Sequence, residues 1–349
     1  MDETHRRVQM LLDVVKRWKR VAILGHDNPD PDSIASALGL SRLFSAELGL
    51  ETPILYGGIV GRAENRSMLE SLGIKLSHLR NNALEEYDGV VLVDTQPGAG
   101  NNSLPSTFRQ VAVIDHHPLQ ANSSTYQYVD VRPEYGALST IIFEYLVSAG
   151  ISVETDIATA LFHGIKSETL DLARRATPSD IEAYVRLFPL VDLRKLAEIQ
   201  HPRVPRHYFE DTRVAMERAF IYDGVIISDI GPCSSPDTVA EMADFLLRLE
   251  GVSWSICLGQ FAGQIYFSVR TSEPKINAGE LVRKVAGSLG SAGGHDAVAG
   301  GRIPIANLSD GQLDRLISET KHRFLELLDV ESKSPAKLLV WRNRSEEIR

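Results

Sequence analysis

Apolar positions along this chain fall into two kinds of run, and the two alternate. Val21 to Leu24, Val90 to Val93 and Val111 to Ile114 are short, unbroken and rich in β-branched residues, the pattern of buried strands. Pro53 to Tyr56 makes another short strand. Between them the period changes. Val8, Leu11, Leu12, Val15 and Trp18 recur at helical spacing over 5–20, and Ile34, Leu38, Leu40, Leu43 and Phe44 do so up to Gly49, with Asp32 or Ser33 as the expected cap. Residues 62–72, 136–150, 155–170 and the stretch from Thr177-Pro178 to about 188 read as further helices. Strand and helix in alternation predict an α/β fold, a parallel sheet with helices on both faces.

From 193 the pattern weakens. Residues 193–219 are polar, partly helical and interrupted by Pro202 and Pro205, which reads as a helical linker. A smaller mixed α/β domain follows over 220–330. Its expected elements are a strand at 222–230, a helix at 237–250, two strands within 252–269 around a somewhat long turn at 259–263, a helix at 279–287, a strand at 302–305 and a helix at 308–328. The boundaries expected are therefore 1–192, 193–219 and 220–330, with 331–349 as a charged, loose tail.

Composition narrows the function. A formal net charge of −9 argues against gripping long nucleic acid by a broad basic face, because each phosphate contact needs a Lys or Arg. Two cysteines, Cys233 and Cys257, provide neither a disulfide framework nor a thiolate metal site. No apolar run approaches membrane-spanning length, and the N-terminus is too charged for a signal segment. A cytoplasmic protein without a membrane partner is the expectation.

The polar residues worth attention stand where the strands stop. The first strand runs into His26-Asp27-Asn28-Pro29-Asp30-Pro31-Asp32, the third into Asp94 and the fourth into Asp115-His116-His117. In an open parallel sheet, ligands bind beyond the carboxyl ends of the strands. A single acid after a strand is ordinarily a turn or cap residue. Three strand ends carrying His26, Asp30, Asp32, Asp94, His116 and His117 offer more ligands than one cation needs. Oxygen-rich sites with some imidazole suit Mn²⁺ or Mg²⁺, and a pair of such ions suits in-line attack on phosphorus.

These motifs resemble the DHH phosphoesterase superfamily. His26-x-x-Pro29-Asp30-x-Asp32, Asp94 and Asp115-His116-His117 match its first three motifs, and Gly164-Ile-x-x-Glu168-Thr169 is similar to the fourth. Gly293-Gly294-His295-Asp296-x-x-Ala299-Gly300 resembles the Gly-Gly-His signature of the associated C-terminal domain. The resemblance points to the branch of nanoRNases, pAp phosphatases and RecJ-like nucleases. It implies a catalytic domain over 1–192 and a substrate-binding domain over 220–330. It implies two divalent ions, most simply Mn²⁺, one held by His26, Asp30 and Asp94, the other by Asp32, Asp94, His116 and Glu168. Asp94 would bridge, Asp115 would orient an imidazole, and His117 would meet the scissile phosphate or protonate the leaving group. Glu168 departs from the family's usual Asp and reaches one methylene further.

In the second domain, Gly293, Gly294 and His295 are the expected grip on a substrate phosphate, with Arg270 as a clamp through its fork of donors. A plain turn between helix and strand is the bland reading of the glycines. The expected substrates are short single-stranded oligonucleotides, nucleoside bisphosphates such as pAp or linear dinucleotides, and the expected assembly is a homodimer. The rival readings are an inorganic pyrophosphatase or polyphosphatase, a nucleotide-binding sensor with weak turnover, and an exonuclease on long single strands.

Overall fold

The computed structural model describes residues 3–80, 83–120, 126–273, 276–295, 297–306, 308–330 and 335–339. It divides into two units, residues 1–203 and 204–349.

In the first unit α1 (Glu3–Val15) leads into β1 (Val21–Leu24), α2 (Pro31–Leu48), β2 (Ile54–Tyr56), α3 (Ala63–Ser71) and β3 (Leu76–His78). β4 (Gly89–Val93), β5 (Val111–Asp115) and β6 (Tyr128–Val131) follow, then α4 (Leu138–Ser148), α5 (Thr155–Glu168), α6 (Pro178–Leu187) and α7 (Leu193–Gln200). The sheet order is β3-β2-β1-β4-β5-β6, and every pair is parallel. β1, β4 and β5 are therefore neighbours, and their carboxyl ends open on the same edge.

Alternation within these strands divides their side chains between two faces. Ile23, Val91, Val93, Ala112 and Ile114 join the large core with α1, α2, α4 and α5. Ala22, Leu24, Val90, Leu92, Val111 and Val113 pack on the other face with Leu84 and, partly buried, Leu79, Leu104 and Phe108. The four continuous residues of each strand thus serve two cores. Each buried Val or Leu contributes about 1.5–3 kcal/mol relative to exposure.

Two strands of the first unit lie outside the strands expected from the sequence. β3 is a three-residue edge strand whose side chains are half-buried or exposed, and β6 carries Asp130 in its middle. Neither has the apolar run that marks the other four. The cap of α2 is also corrected. Asp30, not Asp32 or Ser33, is the N-cap, and its side chain accepts from the Ser33 amide with Pro31 in the first turn.

The second unit holds α8 (Arg206–Glu217), β7 (Ala219–Tyr222), β8 (Val225–Pro232), α9 (Pro236–Leu246), β9 (Trp254–Phe261) and β10 (Gln264–Thr271). Then come α10 (Ala278–Ala286), β11 (Ser291–His295), β12 (Val298–Pro304), α11 (Asp310–Leu327) and β13 (Ala336–Lys337). The sheet order is β11-β12-β10-β9-β8-β7-β13, antiparallel except for β8 with β9. α10 and α11 share one core with it, α8 and α9 another. The turn between β9 and β10 is tighter than expected. Ala262 and Gly263 alone make it, both at positive φ, the conformation of a two-residue hairpin loop. The division between the units falls within the stretch 193–219 expected as a linker, with α7 in the first unit and α8 in the second. Part of the charged tail is ordered as β13, which pairs with β7, while 340–349 lies outside the described residues.

Candidate metal centre

The site is built on the carboxyl ends of β1, β4 and β5, and it has two halves that meet at Asp94. In the first, His26 Nε2 stands 3.6 Å from Asp30 Oδ2 and 3.5 Å from Asp94 Oδ2. Asp30 does two things here. One oxygen caps α2, and the other faces His26. Asn65 on α3 braces the same loop by donating to the Pro29 carbonyl at 2.9 Å.

In the second half, His116 Nε2 stands 3.4 Å from Asp94 Oδ1 and 3.8 Å from Asp32 Oδ2. The other nitrogen of His116, Nδ1, lies 3.3 Å from the Tyr135 carbonyl, which fixes the ring. Asp32 is buried, and its two oxygens accept from the amides of Leu138 and Ser139, the first residues of α4. A helix N-terminus stabilises a carboxylate there. Gly164 on α5 makes this possible, since a Cβ at 164 would lie 2.3 Å from Ser139 Oγ and 3.2 Å from Asp32. The glycine of the fourth motif is needed for close approach.

Asp94 thus sends one oxygen to each half. Its backbone has φ of 60°, a left-handed conformation uncommon for a residue other than glycine. Such strain concentrates at functional sites. The Asp94 Oδ1 atom is buried and accepts no hydrogen bond.

Whether these residues suit a divalent cation can be tested on their spacing. The ligand atoms of His26, Asp30 and Asp94 lie within 4.8 Å of one another, as do those of Asp94, His116 and His117. Separations of 3.4 to 3.8 Å are too long for good hydrogen bonds. Donors bound at about 2.1 Å to one ion stand about 3.0 to 4.2 Å apart around it. Charge points the same way. Burial and the Asp94 charge push the Asp32 carboxyl up to about 6. Burial, with Asp30 next, pushes Glu168 up to about 8. Burial opposes charge on His26 and His116 too, but Asp30 and Asp94 raise the His26 imidazole, and Asp94 and Asp32 the His116 imidazole, well above their ordinary value. Burial likewise opposes the Asp94 charge, and His116 and His26 outweigh it, holding that carboxyl far below its usual range. The cluster is one of acids that want positive charge among them, and divalent cations supply it. The residues present fit the group.

Asp115 lies behind the cluster. Its Oδ1 accepts from the amides of His116 and His117 and from His117 Nδ1 at 2.9 Å. The imidazole it orients is that of His117, and Asp115 Oδ2 is in turn held by Gln96 Nε2 at 2.7 Å. Gln96 is buried, and its Oε1 accepts from the Gln120 amide. Sequence reading missed Gln96 and Tyr135. Gln96 stands two residues after Asp94, the one signal that could have found it. The Tyr135 carbonyl, like the 138 and 139 amides, is backbone and leaves no mark in the sequence.

Glu168 ends α5 and feels the charges of Asp30, His116 and Asp32. It belongs to neither of the two tight ligand groups. Its Oε1 lies 3.4 Å from Arg174 Nη2.

In the second unit, Gly293, Gly294 and His295 lie in β11, an edge strand paired with β12, and not in a turn between helix and strand. Gly294 has φ of 143°, and a Cβ there would lie 2.4 Å from the Ala299 backbone. Gly293 has open space beside it. The His295 side chain lies outside the described residues. Arg270, the expected clamp, stands near the end of β10. It is buried, ion-paired with Asp244, and donates to Ser268 Oγ at 2.8 Å and the Val269 carbonyl at 3.0 Å.

No described helix is long and apolar enough to cross a membrane. Comparison with known proteins fits the motifs. The chain is 33% identical over 318 residues to an uncharacterized protein of Methanocaldococcus jannaschii, a match covering 89% of this chain and 64% of that one. It is 33% identical over 153 residues to a "probable manganese-dependent inorganic pyrophosphatase" of Bacillus licheniformis, covering 43% of this chain and 48% of that one. A similarly described protein of Shouchella clausii is 34% identical over 152 residues, again 43% and 48%. The chain thus spans between about half and under two thirds of the length of these relatives. Among solved structures, an exopolyphosphatase-related protein from Bacteroides fragilis shares the fold, with a TM-score of 0.73 at 15% identity over 93% of this chain and 98% of that one. The DHH family N-terminal domain matches residues 20–165 and the DHHA1 domain residues 223–326. With the first three motifs at the sheet edge, the fourth at the end of α5 and both domains in their expected order, the chain carries a DHH family N-terminal domain in its first unit and a DHHA1 domain in its second.

Proposed function

We propose that the chain is a divalent-metal-dependent phosphoesterase acting on short oligonucleotides, on nucleoside bisphosphates such as pAp or on linear dinucleotides. The observation that carries the reading is the division of the Asp94 oxygens between His26 and His116. That is the arrangement of a carboxylate shared by two ions. His26, Asp30 and Asp94 would hold one; Asp32, Asp94, His116 and Glu168 would hold the other. Mn²⁺ is the ion favoured by the oxygen and imidazole donors and by the names of the pyrophosphatase relatives. Bound there, such a pair supplies a hydroxide nucleophile at neutral pH and neutralises charge on the phosphoryl oxygens.

The chain's own residues do the rest. Asp115 holds His117 Nδ1 and so orients a ring that would meet a phosphoryl oxygen or give a proton to the leaving group. The His117 side chain is 37% exposed, against 8% for His116. Of the two neighbours, His117 is the one a substrate can reach. The open space beside Gly293 supports a role for β11 in admitting substrate backbone or phosphate. The net charge of −9 supports short substrates.

A second reading, hydrolysis of pyrophosphate or polyphosphate, is favoured by the pyrophosphatase relatives. Their matches of 43% extend over less of this chain than the two family domains together occupy. The test is a Mn²⁺ activity screen over pAp, dinucleotides, oligonucleotides of rising length, pyrophosphate and polyphosphate. Hydrolysis of pAp or dinucleotides ahead of pyrophosphate is expected. Fast pyrophosphate cleavage with inert pAp would establish the second reading, and processive digestion of long strands with steep salt dependence would establish an exonuclease.

A further inference from the structure

α5 ends at Glu168, and the chain then turns in a way that costs backbone energy. Leu170, Asp171 and Leu172 all have positive φ, 48°, 58° and 67°. None is glycine, and consecutive left-handed residues are rare. Such strain persists only where the surroundings over-determine it, and here they do. Thr169 Oγ donates to the Ile165 carbonyl at 2.6 Å and accepts from the Leu172 amide at 3.0 Å. The Asp171 amide donates to the Lys166 carbonyl, and its carboxylate takes both Lys166 Nζ and the Tyr184 hydroxyl, each at 2.7 Å. The Arg174 amide returns to the Thr169 carbonyl at 2.7 Å.

The product of this turn is one fixed cation. Arg174 folds back over the end of α5, and its Nη2 and Nε donate to the Glu168 carbonyl at 2.6 and 3.2 Å. Its tether is backbone, so the guanidinium keeps its place whatever the Glu168 carboxylate does. It stands 3.4 Å from that carboxylate, which itself feels Asp30, Asp32 and His116. Among the described residues its Nη1 makes no hydrogen bond, and the side chain is 26% exposed. The fork of a guanidinium matches phosphoryl oxygens.

We propose that Arg174 is a substrate-contacting residue, its Nη1 edge receiving a non-bridging phosphoryl oxygen beside the metal centre, and that the strained 170–172 turn exists to hold it there. The proposal rests on the phosphoesterase reading of that centre.

The test uses the full chain loaded with Mn²⁺ and inorganic phosphate as the probe, titrated by calorimetry, with Mn²⁺ binding followed separately by its free-ion EPR signal. Arg174→Gln is expected to weaken phosphate by about 10- to 100-fold, the effect of losing a charge-assisted hydrogen bond, with Mn²⁺ stoichiometry and affinity unchanged. Arg174→Lys keeps the charge without the fork and should fall between, which covers the case of Arg174→Gln failing to fold. Phosphate affinity equal to wild type in either variant overturns the proposal. So does parallel loss of Mn²⁺, which would make Arg174 a support for Glu168 alone, and so does a loaded wild type that binds no phosphate. A wild type that binds phosphate through Arg174 yet hydrolyses no phosphate ester or anhydride would sink the enzymatic reading and leave the contact standing.

Discussion

The two halves of the metal centre use the same residue types and are built differently. Asp30 and Asp32 are two positions apart, yet the Asp30 side chain is 41% exposed and that of Asp32 is 2% exposed. Asp30 spends one oxygen on the cap of its own helix and keeps the other for His26. Asp32 spends both on the amides that open α4. Among the described residues His26 is tied to the cluster by carboxylates alone, whereas His116 also has the Tyr135 carbonyl behind it. One half is a loop that a metal would organise. The other is organised before any metal arrives. The difference teaches that ligand identity does not set the cost of changing a ligand; what else the same atoms hold does.

Asp94 tests the premise that there are two halves. Asp94→Ala removes the shared carboxylate, so Mn²⁺ binding should fail at both. Activity should fall by more than the roughly 100-fold that loss of an outer partner costs. Retention of one full Mn²⁺ per chain by equilibrium dialysis would separate the halves and break the bridging picture.

Asp32 and Asp30 give the sharpest contrast. Asp32→Asn turns an NH₂ toward a buried amide donor of α4, leaving it unsatisfied, which costs about 1–3 kcal/mol. Urea unfolding in EDTA, where no metal contributes, should show that loss. Asp30→Asn should stay within roughly 0.5 kcal/mol of wild type, since Asn is as good an N-cap as Asp. It should still lose Mn²⁺, because Nδ2 cannot serve as a ligand. Equal stability losses in the two variants would abolish the distinction between a preformed and a metal-organised half.

Gln96 asks whether support behind the ligands reaches the chemistry. Gln96→Leu frees Asp115 Oδ2 and removes the acceptor of the Gln120 amide. His117 should lose orientation, and kcat should fall about 10-fold with Mn²⁺ affinity little changed. A fall in Mn²⁺ affinity without a change in kcat would move Asp115 from orienting His117 to supporting His116.

How much of this could be read in the chain follows from where each group's partner lies. The strands at 21–24, 90–93 and 111–114 are legible because they are buried on both faces, so every residue is apolar. β6 is illegible for the same reason in reverse. Its Asp130 is fully buried, but it is met by Arg132, Arg7 and Tyr145, partners the linear pattern does not show. The candidate ligands His26, Asp30, Asp32, Asp94 and His116 are legible because each closely follows a strand or opens a helix. Their supports are not, since the Tyr135 carbonyl and the 138 and 139 amides could belong to any residue. The Arg270 ion pair is not legible either, because its partner Asp244 lies on α9 and the linear pattern does not join the two.

The smallest expected effect lies furthest from the metal and bears on the preformed half alone. The segment 132–139 presents the Tyr135 carbonyl to His116 and the 138 and 139 amides to Asp32. Its outer side is pinned by Arg132, which pairs with Asp130 and Glu144, and by the Tyr135 hydroxyl, which donates to Glu144 at 3.0 Å. Tyr135→Phe deletes that hydroxyl and leaves the carbonyl in place. About 1 kcal/mol of stability should go with the hydrogen bond. If the pin matters to the site, Mn²⁺ affinity at the His116 half should fall several-fold, below the roughly 10-fold of a direct outer partner. The His26 half should not move, because nothing in the segment touches it. Two classes of Mn²⁺ site in an EPR titration, with only one displaced by the substitution, is the expected result. Equal weakening of both classes would mean that the halves are coupled through Asp94 so tightly that they act as a single site.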